Sequence, residues 1–143
     1  PAYAIDPVDA ESLDDAVSLG DKGVVPPTSK KGTPGAPCQW VHIHVTDISR
    51  YIAPDTPIDR VARRLGENAV LKEASMSIFP LATVRSLLSF TEERASPSLS
   101  FAALVEDSTG AVVDYKAYPS LVGNIRRMTY REANSALTSA KHP

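Results

Sequence analysis

The residues best suited to chemistry stand together near the start of the chain. Asp6-Pro7-Val8-Asp9-Ala10-Glu11-Ser12-Leu13-Asp14-Asp15-Ala16 places four Asp and one Glu within ten residues. Carboxylates packed this closely repel one another when they face one site, so a chain either splays them into water or gives them a cation. An all-oxygen donor set suits magnesium, manganese or calcium rather than zinc. The calcium-loop pattern fails, because positions three and five of such a loop begun at Asp6 are Val8 and Ala10. Magnesium, held by a few carboxylates with water and phosphate in its remaining positions, fits better. The plainer alternative is a solvated acidic loop that caps a helix near Leu13. The order of residues favours the site. Pro7 stiffens the chain directly after the first Asp, and Leu13 is placed to anchor the loop before the Asp14-Asp15 pair.

The elements that must position this cluster are read from periodicity. Residues 1–19 form an acidic loop ending in the apolar run Ala16-Val17-Ser18-Leu19. Residues 20–38 hold four Gly, four Pro and three Lys, which predicts a long, exposed and mobile loop. Residues 40–46 alternate, with Val41, Ile43 and Val45 on one side and Trp40, His42, His44 and Thr46 on the other, a half-buried strand. A helix is predicted over residues 57–67. Thr56 can cap it, Pro57 suits its first position, Asp59 its first turn, and Gly66 its end. Ile58, Val61, Ala62 and Leu65 form its apolar stripe, with Arg60, Arg63 and Arg64 off it. Residues 69–90 are apolar without a clear period. Residues 99–106 and 111–118 flank Asp107-Ser108-Thr109-Gly110 as a hairpin. Thr129-Tyr130-Arg131-Glu132 reads as a capping box that opens a last helix through Leu137. Hairpins mixed with helices, rather than repeated βαβ units, predict an α+β fold with a mixed, largely antiparallel sheet and flanking helices.

Composition bounds the function. The chain has 143 residues, 43% hydrophobic, with a net charge of -2. That size supports one domain with a real core, and the charge argues against a chain that coats nucleic acid without specificity. Local positive charge would still serve a channel. No apolar run approaches the length of a membrane helix, so no membrane insertion is expected. The N-terminus lacks a basic region followed by an apolar stretch, so it does not read as a signal peptide. It also lacks an initiator Met, which reads as a processed or partial chain. A lone Cys38 leaves no disulfide framework and suits a reducing, intracellular setting such as the cytoplasm or an organelle.

The order of residues in the acidic cluster also carries a family resemblance. The RNB domain of the ribonuclease II / ribonuclease R family bears a signature D-P-x-D-A-x-D-L-D-D-A, and this chain reads D-P-V-D-A-E-S-L-D-D-A. Val41 to Ile52 resembles the family's LGVHIADVSHYV, Pro54 to Gly66 is similar to PGSPLDREARRRG, and Arg127-Met128-Thr129-Tyr130 resembles R-L-T-Y. Four pieces in order and spacing identify residues 1–143 as part of an RNB-like domain, its opening third.

The resemblance implies a 3′-to-5′ exoribonuclease that hydrolyses single-stranded RNA with magnesium. Carried over by position, Asp6 and Asp15 would be metal ligands and Asp14 the residue most directly tied to cleavage. Asp9 would be supporting. Ser12 stands where the family has another catalytic Asp, so one charge and one strong ligand are missing, and metal affinity and rate should both fall. The family's base-stacking Tyr falls on Val70. Stacking is worth about 1–3 kcal/mol per base, so a useful clamp is lost. Ser96 to Ser100 replaces R-L-A-L-S and loses an Arg. The family's later basic and acidic residues, and its flanking cold-shock and S1 modules, have no counterpart here, so 143 residues alone are not expected to close an RNA channel.

The remaining polar residues weigh differently. His42 and His44 lie two apart on one strand face without a third ligand, which favours a structural role. Asp47 is expected to shape a loop. Arg63 and Arg64 can touch RNA phosphates, but a solvated helix face is the simpler reading, and Arg126 and Arg127 carry the same ambiguity. Cys38 and Ser12 each lack a base beside them and do not read as nucleophiles. Two functions from different classes follow. One is an RNB-type exoribonuclease. The other is a degenerate, catalytically inactive RNB module serving as a scaffold or RNA-binding component, with other protein subunits, in a larger ribonucleoprotein or organellar assembly. A plain α+β domain with an acidic loop and no RNA connection is the third reading.

Overall fold

The computed structural model describes residues 1–67, 69–70 and 75–140, with the backbone alone at 69–70, 75–76 and 140. Its strands are β1 (Ala2–Ile5), β2 (Asp15–Val24), β3 (Pro37–Thr46), β4 (Ala69–Val70), β5 (Ser75–Met76), β6 (Ser96–Glu106), β7 (Val112–Val122) and β8 (Ile125–Met128). Three α-helices accompany them: α1 (Pro57–Leu65), α2 (Leu81–Leu87) and α3 (Tyr130–Ala140). Six strands form one sheet in the order β7-β6-β3-β2-β1-β8, and β4 and β5 form a small ribbon. Every pairing in the large sheet is antiparallel except β1 with β8, which is parallel. The expected α+β class with a mixed, largely antiparallel sheet is therefore the observed one.

Local signals act as chemistry dictates. The Thr56 hydroxyl accepts from the Asp59 amide at 3.4 Å, and Gly66 closes α1 at φ 78°, a left-handed conformation that glycine takes without strain. Only Ala62 of the predicted apolar stripe is buried; Val61 and Leu65 stay exposed. The Thr129 hydroxyl accepts from the Glu132 amide at 3.3 Å while the Glu132 carboxylate accepts the Thr129 amide at 2.7 Å, a reciprocal cap on α3. That helix runs to Ala140, past Leu137.

Two expectations are corrected. The first segment is not all loop, because Ala2–Ile5 forms β1. Nor is 20–38 a continuous exposed loop: β2 runs to Val24 and β3 starts at Pro37, so Cys38 lies in a strand and is buried. A kink in register between Leu19 and Lys22 lets the glycines stay in the strand, and a Cβ on Gly20 would collide with the His42 ring. The connection between the strands is pinned rather than free. Val25 is buried, and its amide donates to the Ala36 carbonyl at 2.8 Å. Buried Glu106 accepts from the Thr33 amide at 2.9 Å and from the Ser108 hydroxyl at 2.9 Å. Those bonds, the Thr33 amide foremost, hold the Glu106 carboxyl below its ordinary range.

The alternation in β3 is real, but the face carrying the histidines turns inward. Ile43 pairs with Val17 and Phe101, yet Ile43 is 48% exposed and Phe101 45%. On the other face His44 lies between Ala16 and Ser100, and His42 between Ser18 and Ala102. Small residues crowd this inner face, where Ala4, Ala16, Ser98, Ser100 and Ala102 are buried. One core cluster there joins Ala4, Ala16, Val122 and Ile125 to Leu13 and Phe90. A second joins Val25, Cys38 and Leu104.

Polar side chains lie on the same inner face. The two His44 ring nitrogens meet the Ser18 hydroxyl at 2.9 Å and the Ser100 hydroxyl at 2.6 Å; His42 meets the Tyr118 hydroxyl at 2.8 Å. The two imidazoles stack with centroids 5.9 Å apart. The structural role expected for both histidines fits this network. Burial holds both below the ordinary imidazole value of 6.5, with Lys116 adding to the effect at His42 and His42 adding to it at His44. The unfolded chain therefore takes up protons first as pH falls. Stability is complete above about 6.5 and declines below it, whereas carboxylates such as Glu106 enter only below their own ordinary 4.5. Urea midpoints should fall between pH 7 and 5.5, and His42→Asn/His44→Asn should flatten that slope. A flat wild-type profile would contradict imidazoles held below their ordinary value in the fold.

Candidate metal centre

Tyr3 on β1 lies opposite Val17 on β2, so residues 6–14 form the loop joining two neighbouring antiparallel strands. Continuing that register carries Ile5 opposite Asp15. The two stems of the loop are therefore Asp6 on one side and Asp14-Asp15 on the other, which is how topology brings these carboxylates together.

Each stem is tied to a further strand. The Asp6 amide donates to the Met128 carbonyl on β8 at 3.1 Å, and the Asp14 carbonyl accepts from the Thr46 amide on β3 at 3.0 Å. Leu13 is the anchor its place suggested. Its side chain is buried, its amide donates to the Ser89 hydroxyl at 2.9 Å, and its carbonyl accepts the Phe90 amide at 2.7 Å. From α2, Arg85 meets Glu11 at 2.8 Å. From β8, the Arg127 guanidinium donates to the carbonyls of Pro7 and Val8, both at 3.0 Å, and of Ala10 at 3.4 Å.

The carboxylates differ in setting. Asp9, Asp14 and Asp15 are exposed. One oxygen of Asp6, Oδ2, is buried and has no hydrogen-bond partner among the described residues. Burial raises the Asp6 carboxyl above its ordinary range, the Asp15 and Asp14 carboxylates raise it further, and Arg127 opposes them. A buried oxygen without a donor, beside two more carboxylates, is short of positive charge, so this donor set fits a hard divalent cation. Among the described residues no three His, Cys, Asp or Glu side chains already converge as a finished site. Ser12, half-buried, lines a groove with Asp14, Thr46, Ile48 and Phe79.

Other sequence candidates lie elsewhere. Arg63 is engaged by Asp59 at 2.9 Å, and Arg64 is an exposed neighbour on the same helix. Asp47 does shape a loop, accepting from the Ser49 amide at 3.1 Å and hydroxyl at 2.6 Å and from Arg50 at 3.2 Å. These bonds hold its carboxyl below the ordinary range, the Ser49 hydroxyl most of all. The Val70 side chain lies outside the described residues. Sequence reasoning did not find the loop-holding part of Arg127, which was weighed only as a phosphate contact or a solvated side chain. Periodicity carries no signal for a cation that bonds to carbonyls far away in the chain.

Comparison with known proteins agrees with this architecture. The RNB domain family matches residues 1–143. This chain belongs to the RNB domain family. It is 29% identical over 135 residues to the chloroplastic/mitochondrial ribonuclease II of Arabidopsis thaliana, a match covering 94% of this chain and 15% of that protein. It superposes on Mycoplasma genitalium RNase R, solved with ribose-methylated single-stranded RNA, with a TM-score of 0.77 at 17% identity, covering 97% of this chain and 20% of that one. Yeast Ssd1, a pseudonuclease, gives a TM-score of 0.77 at 16% identity, covering 96% of this chain and 15% of that one. The chain thus spans a fifth or less of the length of each of these relatives. Exoribonucleases of the family in general depend on a divalent metal. Among the described residues no helix is long and apolar enough to cross a membrane.

Proposed function

We propose that this chain is the metal-binding opening of a magnesium-dependent exoribonuclease that degrades single-stranded RNA from its 3′ end. The observation that carries the reading is the loop on the RNB fold whose stems, Asp6 and Asp14-Asp15, lie together, with the buried Asp6 Oδ2 lacking a donor among the described residues. Asp6 and Asp15 act as ligands, Asp14 is tied most directly to cleavage, and Asp9 supports them. A divalent ion held by Asp6 and Asp15 would supply activation of the attacking water and stabilisation of charge on the departing oxygen. The Arabidopsis ribonuclease II supports the activity, and its chloroplastic/mitochondrial naming is in keeping with an organelle.

Ser12 favours a second reading, a drifted RNB module that binds RNA or scaffolds other subunits. One experiment separates them. The full-length protein is incubated with 5′-labelled single-stranded RNA in magnesium or in chelator. Stepwise shortening from the 3′ end in magnesium alone supports the enzyme, and a further rate gain of about 10–100-fold in Ser12→Asp, the scale on which metal-site partners act, shows the missing ligand restored. A folded protein that shortens no RNA, with Ser12→Asp equally inert, contradicts the enzyme and favours the scaffold.

A further inference from the structure

We propose that Arg127 is the positioning residue of the acidic loop: by donating to three of the loop's carbonyls it fixes the backbone that presents Asp6, Asp14 and Asp15, while leaving their carboxylates free for a cation.

The parallel pairing of β8 with β1 sets Ala4 beside Arg127 and Ile5 beside Met128. The chain then leaves β1 at Asp6 and curls past the guanidinium. Nη2 reaches the carbonyls of Pro7 and Val8 at 3.0 Å and of Ala10 at 3.4 Å. Ala10 also closes a turn of its own, its amide donating to the Pro7 carbonyl at 3.1 Å, so the Pro7 oxygen is shared by the turn and by the arginine. All three contacts come from one nitrogen, whose two N–H bonds lie in the fixed plane of the guanidinium: the two 3.0 Å contacts take them and the 3.4 Å contact to Ala10 shares one, whereas a lysine ammonium, shorter in reach and freely rotating, does not hold this arrangement.

Its choice of partners is the telling feature. Arg127 stands beside a segment with five carboxylates. Among the described residues its guanidinium donates to none of them and forms no ion pair. The other arginine at this loop, Arg85, pairs with Glu11, which no reading makes a ligand. The two cations therefore stabilise the loop without occupying Asp6, Asp14 or Asp15. An arginine present only to offset charge would sit on a carboxylate.

The proposal rests on the metal-site reading for its purpose, but its test does not depend on that reading. Arg127→Lys keeps the charge and loses the planar, pre-oriented N–H pair of Nη2; Arg127→Met loses both. Hydrogen exchange at the Ala10 amide reads the loop, with the central β6 amide of Ala102 as a check on the sheet. Manganese affinity reads the ligand set. Both variants should speed exchange at Ala10 and weaken manganese binding about 10–100-fold, with Ala102 unchanged. The proposal is overturned if Arg127→Lys matches the wild type, or if Arg127→Met binds manganese more tightly, since either result leaves charge as the whole effect. If Arg127→Met unfolds the sheet, Arg127→Lys alone decides. Faster Ala10 exchange in a protein that binds no manganese upholds the positioning role and sinks the metal-site reading instead.

Discussion

On the proposed exoribonuclease reading, Asp14→Asn is expected to lower magnesium-dependent RNA hydrolysis by roughly 10²–10³-fold while moving the melting temperature by no more than about 2 °C. The Asp14 side chain is exposed, so the fold gains little from its charge. Its structural bond runs through its carbonyl, which accepts the Thr46 amide at 3.0 Å, and asparagine keeps that. The loss falls on chemistry. Stabilising charge at a phosphate centre through a metal site is worth several kcal/mol, and each 1.36 kcal/mol is tenfold in rate. Asp9→Asn is the internal comparison. Asp9 is exposed within the loop, away from its stems, and its replacement should cost less than about tenfold. Rates on single-stranded RNA with saturating magnesium, beside a thermal melt, check both. Equal losses at Asp9 and Asp14 would mean that loop charge as a whole, and not the stem residues, governs activity.

Phe90→Ala should be the most damaging of the core substitutions, lowering stability by about 3–5 kcal/mol. Phe90 is 1% exposed and packs with Ala4, Ala16, Leu13, Val122 and Ile125. Truncation leaves a cavity, and the Ala4 and Ala16 side chains beside it are too short to close over it. A domain of this size gains only about 5–15 kcal/mol in all, so the variant sits near the edge of folding. The effect should reach the loop as well. Phe90 and Ser89 hold both backbone groups of Leu13, which stands directly before Asp14. Chemical denaturation with the wild type alongside measures the first effect, and manganese affinity at low temperature measures the second. A loss below about 1 kcal/mol would show that this cluster is not the centre of the core.

Much of this was legible in the chain because some local rules are self-contained. The Thr56-Pro57 start and Gly66 stop of α1, the Thr129–Glu132 cap, and the turn at Asp107–Gly110 each need only neighbouring residues to act. The order of the acidic residues, with Leu13 between them and the Asp pair, carried the family and its candidate ligands together. Other features depend on distant partners. Ala2–Ile5 is a short strand without alternation, and it becomes a strand because β2 and β8 flank it. Gly20 and Gly23 argued for a loop, yet both lie in β2: Gly23 pairs with Cys38, and Gly20 sits in the register irregularity, where it makes room for His42. The alternation of β3 told which residues share a face but not which face turns inward. Hydroxyls from β2 and β6 satisfy His44 and make the polar face the inner one, and those lie far away in sequence. Arg127 was illegible for the same reason, since its partners are backbone carbonyls more than a hundred residues earlier.

The most direct measurement is paramagnetic broadening by substoichiometric manganese in the NMR spectrum of the protein. Signals of Asp6, Asp14, Asp15 and the adjoining Ala16 amide are predicted to vanish first and to return on adding excess magnesium, while the His42 and His44 ring signals persist. Loss of the imidazole signals first, or broadening spread evenly over exposed carboxylates such as Asp107 and Asp114, would contradict a metal centre at the stems of the acidic loop.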